Sequence, residues 1–306
     1  MNTIRLNARR IEKPWGRRDI PAIFGSATPD GEPVGEVWFE DPRGGRPELL
    51  VKYLFTSQPL SIQVHPDAAA ADPLGYPSGK DEAWLVLDAE PEAKIGIGLR
   101  DETDAQSLRE AATDGSIERL VDWHPVAAGD SFYSPAGTVH SIGAGLSLIE
   151  VQQNVDVTFR LYDFGRARAL QLDAALAVAQ PGPYTQPLQP YVLTPGREIL
   201  ADGPAFVLER WRGPGAGMLQ VRPGKPLWLV GVGRGGRLDG KKIEAGSAWL
   251  VEGSVELVAE PRSDLLIAYP GRGLRSFAAF AWETPSVLDF RRRRFRDSPK
   301  GLKKAG

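Results

Sequence analysis

The chain has 306 residues, of which 34 are glycine and 26 are proline, and it has no cysteine. So much glycine and proline excludes a helical bundle and favours many short strands joined by tight turns. The lack of cysteine excludes disulfides, cysteine-ligated zinc and thiol nucleophiles. The length predicts two domains.

Charge and hydropathy restrict the partners of the chain. No apolar run approaches the roughly 20 residues that span a bilayer, and the first residues lack the apolar core of a signal peptide. We therefore expect a cytoplasmic protein without a membrane partner. The net charge is −2, with a basic tail at 291–306. We interpret the tail as a solvated end, and expect no nucleic-acid partner, because no basic stripe with interleaved aromatic residues occurs elsewhere.

Turn signals recur roughly every 8 to 12 residues, which is typical of an all-β sandwich or barrel. Two segments with helical spacing interrupt them, at 101–121 and 168–180. A proline-rich stretch follows the second, so we interpret 168–190 as a helix and a linker. Beyond the linker, apolar runs predict strands at the positions 206–211, 227–232, 248–251, 255–259 and 265–269.

The three histidines, His65, His124 and His140, all precede the linker. Any histidine chemistry therefore belongs to the first domain. His124 follows the helical segment and is expected to be structural.

Two short motifs place polar groups on one face of a strand. In LSIQVHP (60–66), alternation puts Ser61, Gln63 and His65 on the same side. In GKDEAWLVL (79–87), Lys80 and Glu82 share a face in the same way.

A third motif, GDSFYSPAGTVHSIG (129–143), has a Pro/Gly turn that delivers His140 to the start of a strand. Each motif alone has an ordinary structural explanation, such as a hydrogen-bonded histidine or a surface acid. Together, Gln63, His65, Glu82 and His140 offer two imidazoles and two oxygen ligands. This set suits zinc or another divalent first-row ion.

The segment EVQQNVDVTFRLYDFGR (150–166) alternates almost cleanly. A continuous strand would carry on one face the polar residues Glu150, Gln152, Asn154, Asp156, Thr158 and Arg160. That face is either the solvent-exposed side of an edge strand or the lining of the barrel that holds the metal. In the second case Arg160 could hold an anion or a sugar oxygen.

The 129–143 motif resembles the second motif of the cupin superfamily. In order along the chain, KPWG (13–16), GEVWFE (35–40), LLVKYL (49–54) and the motifs above resemble type I phosphomannose isomerases in their short bacterial form. The resemblance covers roughly residues 10–180. It implies an all-β fold of two cupin-type jelly-roll domains (double-stranded β-helix) with a few short helices. The domains would be a metal-binding catalytic domain (1–167) with a helical insertion near 101–121, and a domain without a metal site (191–306).

The resemblance also implies a set of site residues. One Zn²⁺ per chain would be held by Gln63, His65, Glu82 and His140. Lys80 and Arg160 would act near the sugar, and Ser61 would lie at the substrate phosphate. Trp15, Lys52, Glu150 and Asp156 fall in family motifs as further substrate-binding residues.

The implied reaction interconverts mannose 6-phosphate and fructose 6-phosphate, by moving a proton between C1 and C2 through a cis-enediol. Asp156, a metal-activated water and Lys80 remain open as the base. We expect no redox cofactor, because GVGRGG (231–236) precedes strand-like sequence and so predicts a hairpin.

Two other functions remain open. An Fe(II) enzyme could use His65, His140 and Glu82 as a facial triad. That function would leave Gln63, Lys80 and the strand with Arg160 unexplained. A non-catalytic sugar-binding or regulatory cupin would keep the barrel. The sequence shows no DNA-binding helix pair and no pattern that specifies an oligomeric state.

Overall fold

A computed structural model of the protein describes residues 2–25, 31–185, 190–221 and 223–271. The basic tail at 291–306 lies outside these ranges. In the described ranges, no helix combines the length and apolar character needed to cross a bilayer.

The part of the chain before residue 180 contains all the helices that the described residues form. Its strands are β1 (Thr3–Arg5), β2 (Asn7–Arg17), β3 (Val34–Glu40), β4 (Leu49–Thr56), β5 (Ile62–Val64), β6 (Glu82–Ala89), β7 (Lys94–Leu99), β8 (Val121–Pro125), β9 (Ser131–Ser134), β10 (His140–Ile142), β11 (Leu146–Gln153) and β12 (Phe159–Tyr162). Its helices are α1 (Ala68–Ala71), α2 (Ala105–Asp114), α3 (Ile117–Leu120) and α4 (Leu172–Val178), with 3₁₀ turns at Ala22–Phe24 and Asp72–Leu74.

The predicted helix at 101–121 is two helices. The Asp104 side chain caps α2 by accepting a hydrogen bond of 2.8 Å from the backbone N–H of Ser107. Gly115 ends α2 with a φ of 82°, a left-handed conformation that favours glycine. The prediction of helix here is therefore confirmed, with a break that the glycine explains.

Strands β2 to β12 form a first unit of two facing sheets. The six-stranded sheet has the order β2-β3-β4-β11-β6-β9, and the five-stranded sheet the order β12-β5-β10-β7-β8. On β4, Lys52 and Leu54 face into this sandwich, whereas Val51, Tyr53 and Phe55 belong to the core on its outer side. Alternation along the strand thus gives the six-stranded sheet a polar cavity wall on one face and an apolar surface on the other.

The later strands form a second unit. They are β13 (Tyr191–Thr194), β14 (Arg197–Asp202), β15 (Phe206–Arg212), β16 (Gly215–Gln220), β17 (Leu227–Gly231), β18 (Gly236–Leu238), β19 (Lys241–Ile243), β20 (Ala248–Val251), β21 (Ser254–Ala259) and β22 (Asp264–Pro270). They build a seven-stranded sheet, β1-β20-β17-β22-β15-β14-β13, and a four-stranded sheet, β16-β21-β18-β19. The strands predicted beyond the linker are confirmed, and so is the all-β fold class with few short helices. Strand β1 lies in the second unit's sheet, where Thr3 pairs with Val251.

A shared core joins the two units. The outward face of the six-stranded sheet packs on the seven-stranded sheet, and one cluster contains Val51 and Tyr53 together with Leu208 and Trp228. Phe24 adds an aromatic contact, with its ring centroid 4.8 Å from that of Tyr53. The units are therefore held together by a continuous hydrophobic interior.

Part of the proline-rich segment is bound to the first unit. The backbone N–H of Leu99 donates to the carbonyl of Gly182 at 2.9 Å, and the N–H of Thr103 donates to Pro181 at 3.0 Å. The hydroxyl of Tyr184 donates to the Tyr133 carbonyl. Residues 181–184 therefore follow the surface of the first unit before the chain enters the second.

The prediction of one continuous strand from Glu150 to Arg160 is wrong. Strand β11 ends at Gln153, and the chain crosses at 154–158 to β12 in the opposite sheet. Asn154 leaves the polar face, and its side-chain amide donates to the Pro47 carbonyl at 2.8 Å. Period 2 alone could not reveal this crossing because the residues on both sides of it alternate in the same phase.

Leu208→Ala tests the shared core. Leu208 is 1% exposed, so truncation should reduce the free energy of unfolding by about 2 to 5 kcal/mol. Because the core is continuous, we expect one urea transition shifted as a whole when probes in both units are followed. Val192→Ala, at a side chain 70% exposed, should change the free energy by less than about 0.5 kcal/mol. Two separate transitions, with only the second unit affected, would contradict the shared core.

Candidate active site

Three strands bring the predicted ligands together at one end of the first unit. In the antiparallel pair of β5 and β10, Gln63 lies directly opposite His140. His65 follows β5, and Glu82 begins β6. Gly137, with a φ of 88°, forms the turn before His140, and its N–H donates to the His65 carbonyl at 2.8 Å.

The side chains of His65, Glu82 and His140 converge. Their ligand atoms all lie within 4.8 Å of one another. Glu82 Oε1 is 3.2 Å from His65 Nε2, and Glu82 Oε2 is 3.6 Å from His140 Nε2. The Gln63 side-chain amide lies 3.3 Å from His140 Nε2. All four predicted ligands therefore meet in one group.

Burial keeps both imidazoles neutral. It lowers the pKa of His65 to about 3, with the ammonium of Lys80 contributing, and it lowers the pKa of His140. The carbonyl of Thr138 is 2.9 Å from His140 Nδ1, which assigns the proton to Nδ1 and leaves the Nε2 lone pair facing Glu82. Neutral imidazole is the form that binds metals.

Glu82 supplies the negative charge of the group. Burial opposes its ionisation, yet the ammonium of Lys80 and the two imidazoles hold the pKa of Glu82 well below its usual range. Lys80 Nζ is 3.0 Å from Glu82 Oε1. Two neutral imidazoles, a carboxylate and an amide form a donor set that fits zinc and other divalent first-row ions.

A polar cavity opens above this group. It is lined by predicted site residues from both sheets and from the crossing between them: Trp15, Lys52, Ser61, Gln63, Lys80, Glu82, Glu150, Asp156 and Arg160. His65 and His140 lie beneath it, in contact with Glu82. The polar side chains on either side of the crossing at 154–158 still reach one cavity because its wall includes both sheets.

The cavity wall also contains residues that the sequence did not single out. Lys13 Nζ is 3.4 Å from Glu36 Oε1, and the Trp38 indole donates to the other oxygen of Glu36. The Lys52 ammonium lies 4.9 Å from the Trp38 ring centroid. In GEVWFE, Glu36 and Trp38 alternate with apolar residues and so share one face of a strand. That pattern was the feature of the sequence that could have indicated them. Arg168 also lines the cavity, and no motif indicated it.

Lys52 and Glu150 form a buried ion pair in the wall, with 3.0 Å between Nζ and Oε1. Lys52 also donates to the Gln152 side chain, and the Trp84 indole donates to Glu150 Oε2 at 3.0 Å. Burial and the charge of Glu82 raise the pKa of Glu150. Burial disfavours the ammonium of Lys52, but nearby carboxylates, led by Glu150, raise the pKa of Lys52 overall.

Arginine side chains supply positive charge at another part of the cavity. The Nε of Arg160 is buried and has no hydrogen-bond partner among the described residues. Burial, followed by repulsion from Arg168, lowers the pKa of Arg160. Asp163 holds Arg168, with 2.6 Å between Arg168 Nε and Asp163 Oδ2. This end of the cavity can receive an anion.

His124 lies elsewhere. Its Nε2 is 3.2 Å from Asp122, its side chain is 42% exposed, and it does not line the cavity. It therefore offers an internal control for the two buried histidines.

His140→Ala tests the ligand group through Zn²⁺ binding. Loss of a ligand should weaken binding by more than about 100-fold, since loss of a supporting residue alone typically costs about 10- to 100-fold. His124→Ala should bind Zn²⁺ as the unaltered protein does. Competition with a chromophoric chelator measures both constants, and equal binding by His140→Ala would disprove the assignment.

The buried imidazoles predict a pH dependence of the metal-free protein. The pKa of each is lower in the folded than in the unfolded chain, so their contribution to stability is complete above about pH 6.5 and declines below it. Because the pKa of His65 falls to about 3, the free energy of unfolding should fall by about 1.4 kcal/mol per pH unit from this histidine, and the lowered pKa of His140 adds a fall in the same direction. Urea unfolding between about pH 7 and pH 5 measures this slope. His65→Gln should flatten it and His124→Gln should not; an unchanged slope in His65→Gln would contradict the buried neutral state.

Comparison with known proteins identifies relatives that match more than two thirds of the chain. No family model matches the chain. A mannose-6-phosphate isomerase of Streptococcus mutans is 33% identical over 233 residues, which cover 69% of this chain and 73% of the relative. The mannose-6-phosphate isomerase ManA of Bacillus subtilis is 32% identical over 235 residues, covering 70% of this chain and 72% of the relative.

Solved structures show the same fold. The mannose 6-phosphate isomerase from Bacillus subtilis superposes with a TM-score of 0.73 at 23% identity, covering 88% of this chain and 99% of that one. A putative mannosephosphate isomerase from Archaeoglobus fulgidus gives a TM-score of 0.67 at 18% identity, covering 88% and 97%. With relatives above 30% identity over most of both chains, this chain belongs to the mannose-6-phosphate isomerase family.

Proposed function

We propose that the protein interconverts mannose 6-phosphate and fructose 6-phosphate by moving a proton between C1 and C2 of the sugar. The observation that carries this proposal is the meeting of His65, Glu82 and His140 at the base of a cavity lined by cations and carboxylates. Family membership supports the same reaction.

The proposed cofactor is one Zn²⁺ per chain, held by Gln63, His65, Glu82 and His140. When bound, the ion would polarise the sugar oxygens and stabilise the negative charge that develops as the carbon loses its proton. Lys80 would contribute to the same stabilisation, because its ammonium lies beside Glu82 and lines the cavity.

Arg160 is the proposed anchor for the sugar phosphate. Its buried, unpartnered Nε would gain an acceptor, and a guanidinium binds phosphate oxygens bidentately. Arg168 adds positive charge beside it. Ser61 donates to Gln63 Oε1 at 2.9 Å, so its proposed contact with the phosphate requires the hydroxyl to turn away from the amide. Trp15 and Asp156 would contact the sugar.

Glu150 is the proposed base, supported by Lys52. A base for a carbon acid benefits from a pKa closer to neutral, and burial raises the pKa of Glu150 in that direction. Lys52 donates to the carboxylate and keeps it oriented, while the Trp84 indole holds its second oxygen. Asp156 is exposed, so it lacks the desolvation that strengthens Glu150 as a base.

A coupled assay of fructose 6-phosphate formation from mannose 6-phosphate tests the reaction. The zinc-loaded protein should turn over, and Glu150→Gln should lose about 10²- to 10⁴-fold in kcat while retaining its zinc. Asp156→Asn should change KM more than kcat. A folded, zinc-loaded protein without turnover would overturn the proposed reaction in favour of a sugar-binding role. Loss of kcat only in Asp156→Asn would overturn the assignment of the base.

A further inference from the structure

A buried polar link lies on the opposite face of the sheet from the metal ligands. Strands β6 and β9 pair Glu82 with Ser134 and Ala83 with Tyr133. Alternation therefore places Tyr133 on the outer face, toward the second unit. Its hydroxyl donates to Asp81 Oδ2, and the two residues are only 1% and 6% exposed.

Asp81 ties together the segments that carry the site. Its Oδ1 accepts a 2.9 Å hydrogen bond from the N–H of Ala136, in the turn that leads to His140. Its own N–H donates to Gln153 Oε1 at 3.0 Å, and the N–H of Gln153 donates back to its carbonyl at 3.1 Å. Glu82 follows directly in sequence. Through its carboxylate and its backbone together, Asp81 thus connects the start of β6, the turn before His140 and the end of β11, the strand that carries Glu150.

The second unit contacts this link through the turn between β14 and β15. A Cβ added at Gly203 would lie 1.9 Å from Cζ of Tyr133, so only glycine fits against the ring. The Ala205 N–H donates to the Tyr133 hydroxyl at 3.4 Å. The Phe206 ring centroid is 5.3 Å from that of Tyr133. These contacts from the second unit, which we call the clamp, hold the ring of Tyr133 in place.

We propose that Tyr133 and Asp81 are positioning residues through which the second unit sets the spacing of the metal ligands Glu82 and His140. The inference rests on the proposed metal site. Removal of the clamp would leave Asp81 free to shift, and the ligand strand and ligand turn would shift with it. Metal affinity is sensitive to such movement because residues that orient ligands typically contribute about 10- to 100-fold to binding.

Two variants act on the link from opposite sides without touching a ligand. Tyr133→Phe deletes only the hydroxyl, and Gly203→Ala pushes the ring from the second unit. Each should weaken Zn²⁺ binding by about 10-fold or more. Gly233→Ala is the matched control, because a Cβ there would meet Asp264 Cβ at 3.4 Å, an ordinary contact. It should bind Zn²⁺ like the unaltered protein.

The experiment measures the Zn²⁺ dissociation constant by chelator competition and, separately, the thermal midpoint of the metal-free protein. A merely structural link would lower the midpoint and leave the dissociation constant unchanged, which would overturn the inference. Asp81→Asn keeps an acceptor for the Ala136 N–H, so it should retain more affinity than Asp81→Ala. If Gly203→Ala fails to fold, Tyr133→Phe still decides. An unaltered protein that binds no Zn²⁺ would instead overturn the metal site of the proposed function.

Discussion

The burial of one carboxylate is the constraint on which the rest of the site depends. Glu82 is 2% exposed and would be costly to ionise there without the ammonium of Lys80 and the two neutral imidazoles beside it. These neighbours come from the residues after β5, the residues before β6 and the start of β10, and they must hold their positions closely. The sandwich of two sheets provides this, since it presents the ends of β5, β6 and β10 to one small volume. The cavity above Glu82 is polar because alternate residues of the same strands face inward.

The six-stranded sheet has one face toward the polar cavity and the other toward the core shared with the second unit. Its inner residues, such as Lys52 and Glu150, line the cavity, while Val51 and Tyr53, on either side of Lys52 in β4, pack against the second unit. A change on the apolar side therefore displaces the same backbone that carries the polar side. This arrangement gives the second unit a physical role at the site although the chain beyond the linker contains no histidine.

Sequence patterns predicted the parts of the site that depend on local alternation and residue type. Ser61, Gln63 and His65 share a face, Lys80 approaches Glu82, and a Pro/Gly turn delivers His140, all as expected. The crossing at 154–158 was missed because pairing between distant strands is decided by tertiary contacts rather than by period. Arg168 and Tyr133 were missed for a related reason. Each acts through partners that only the folded chain brings close, such as Asp163 for Arg168 and Gly203 for Tyr133.

The placement of β1 has a consequence for how the protein forms during synthesis. Thr3 pairs with Val251, so β1 must wait for a partner that is made about 250 residues later. Until then the backbone N–H and C=O groups of β1 lack their strand partner, and the apolar outer face of the first unit remains uncovered. Contacts so distant in sequence slow folding and lengthen the period in which a chain can aggregate. Assembly is therefore completed only when the ribosome has released most of the second unit.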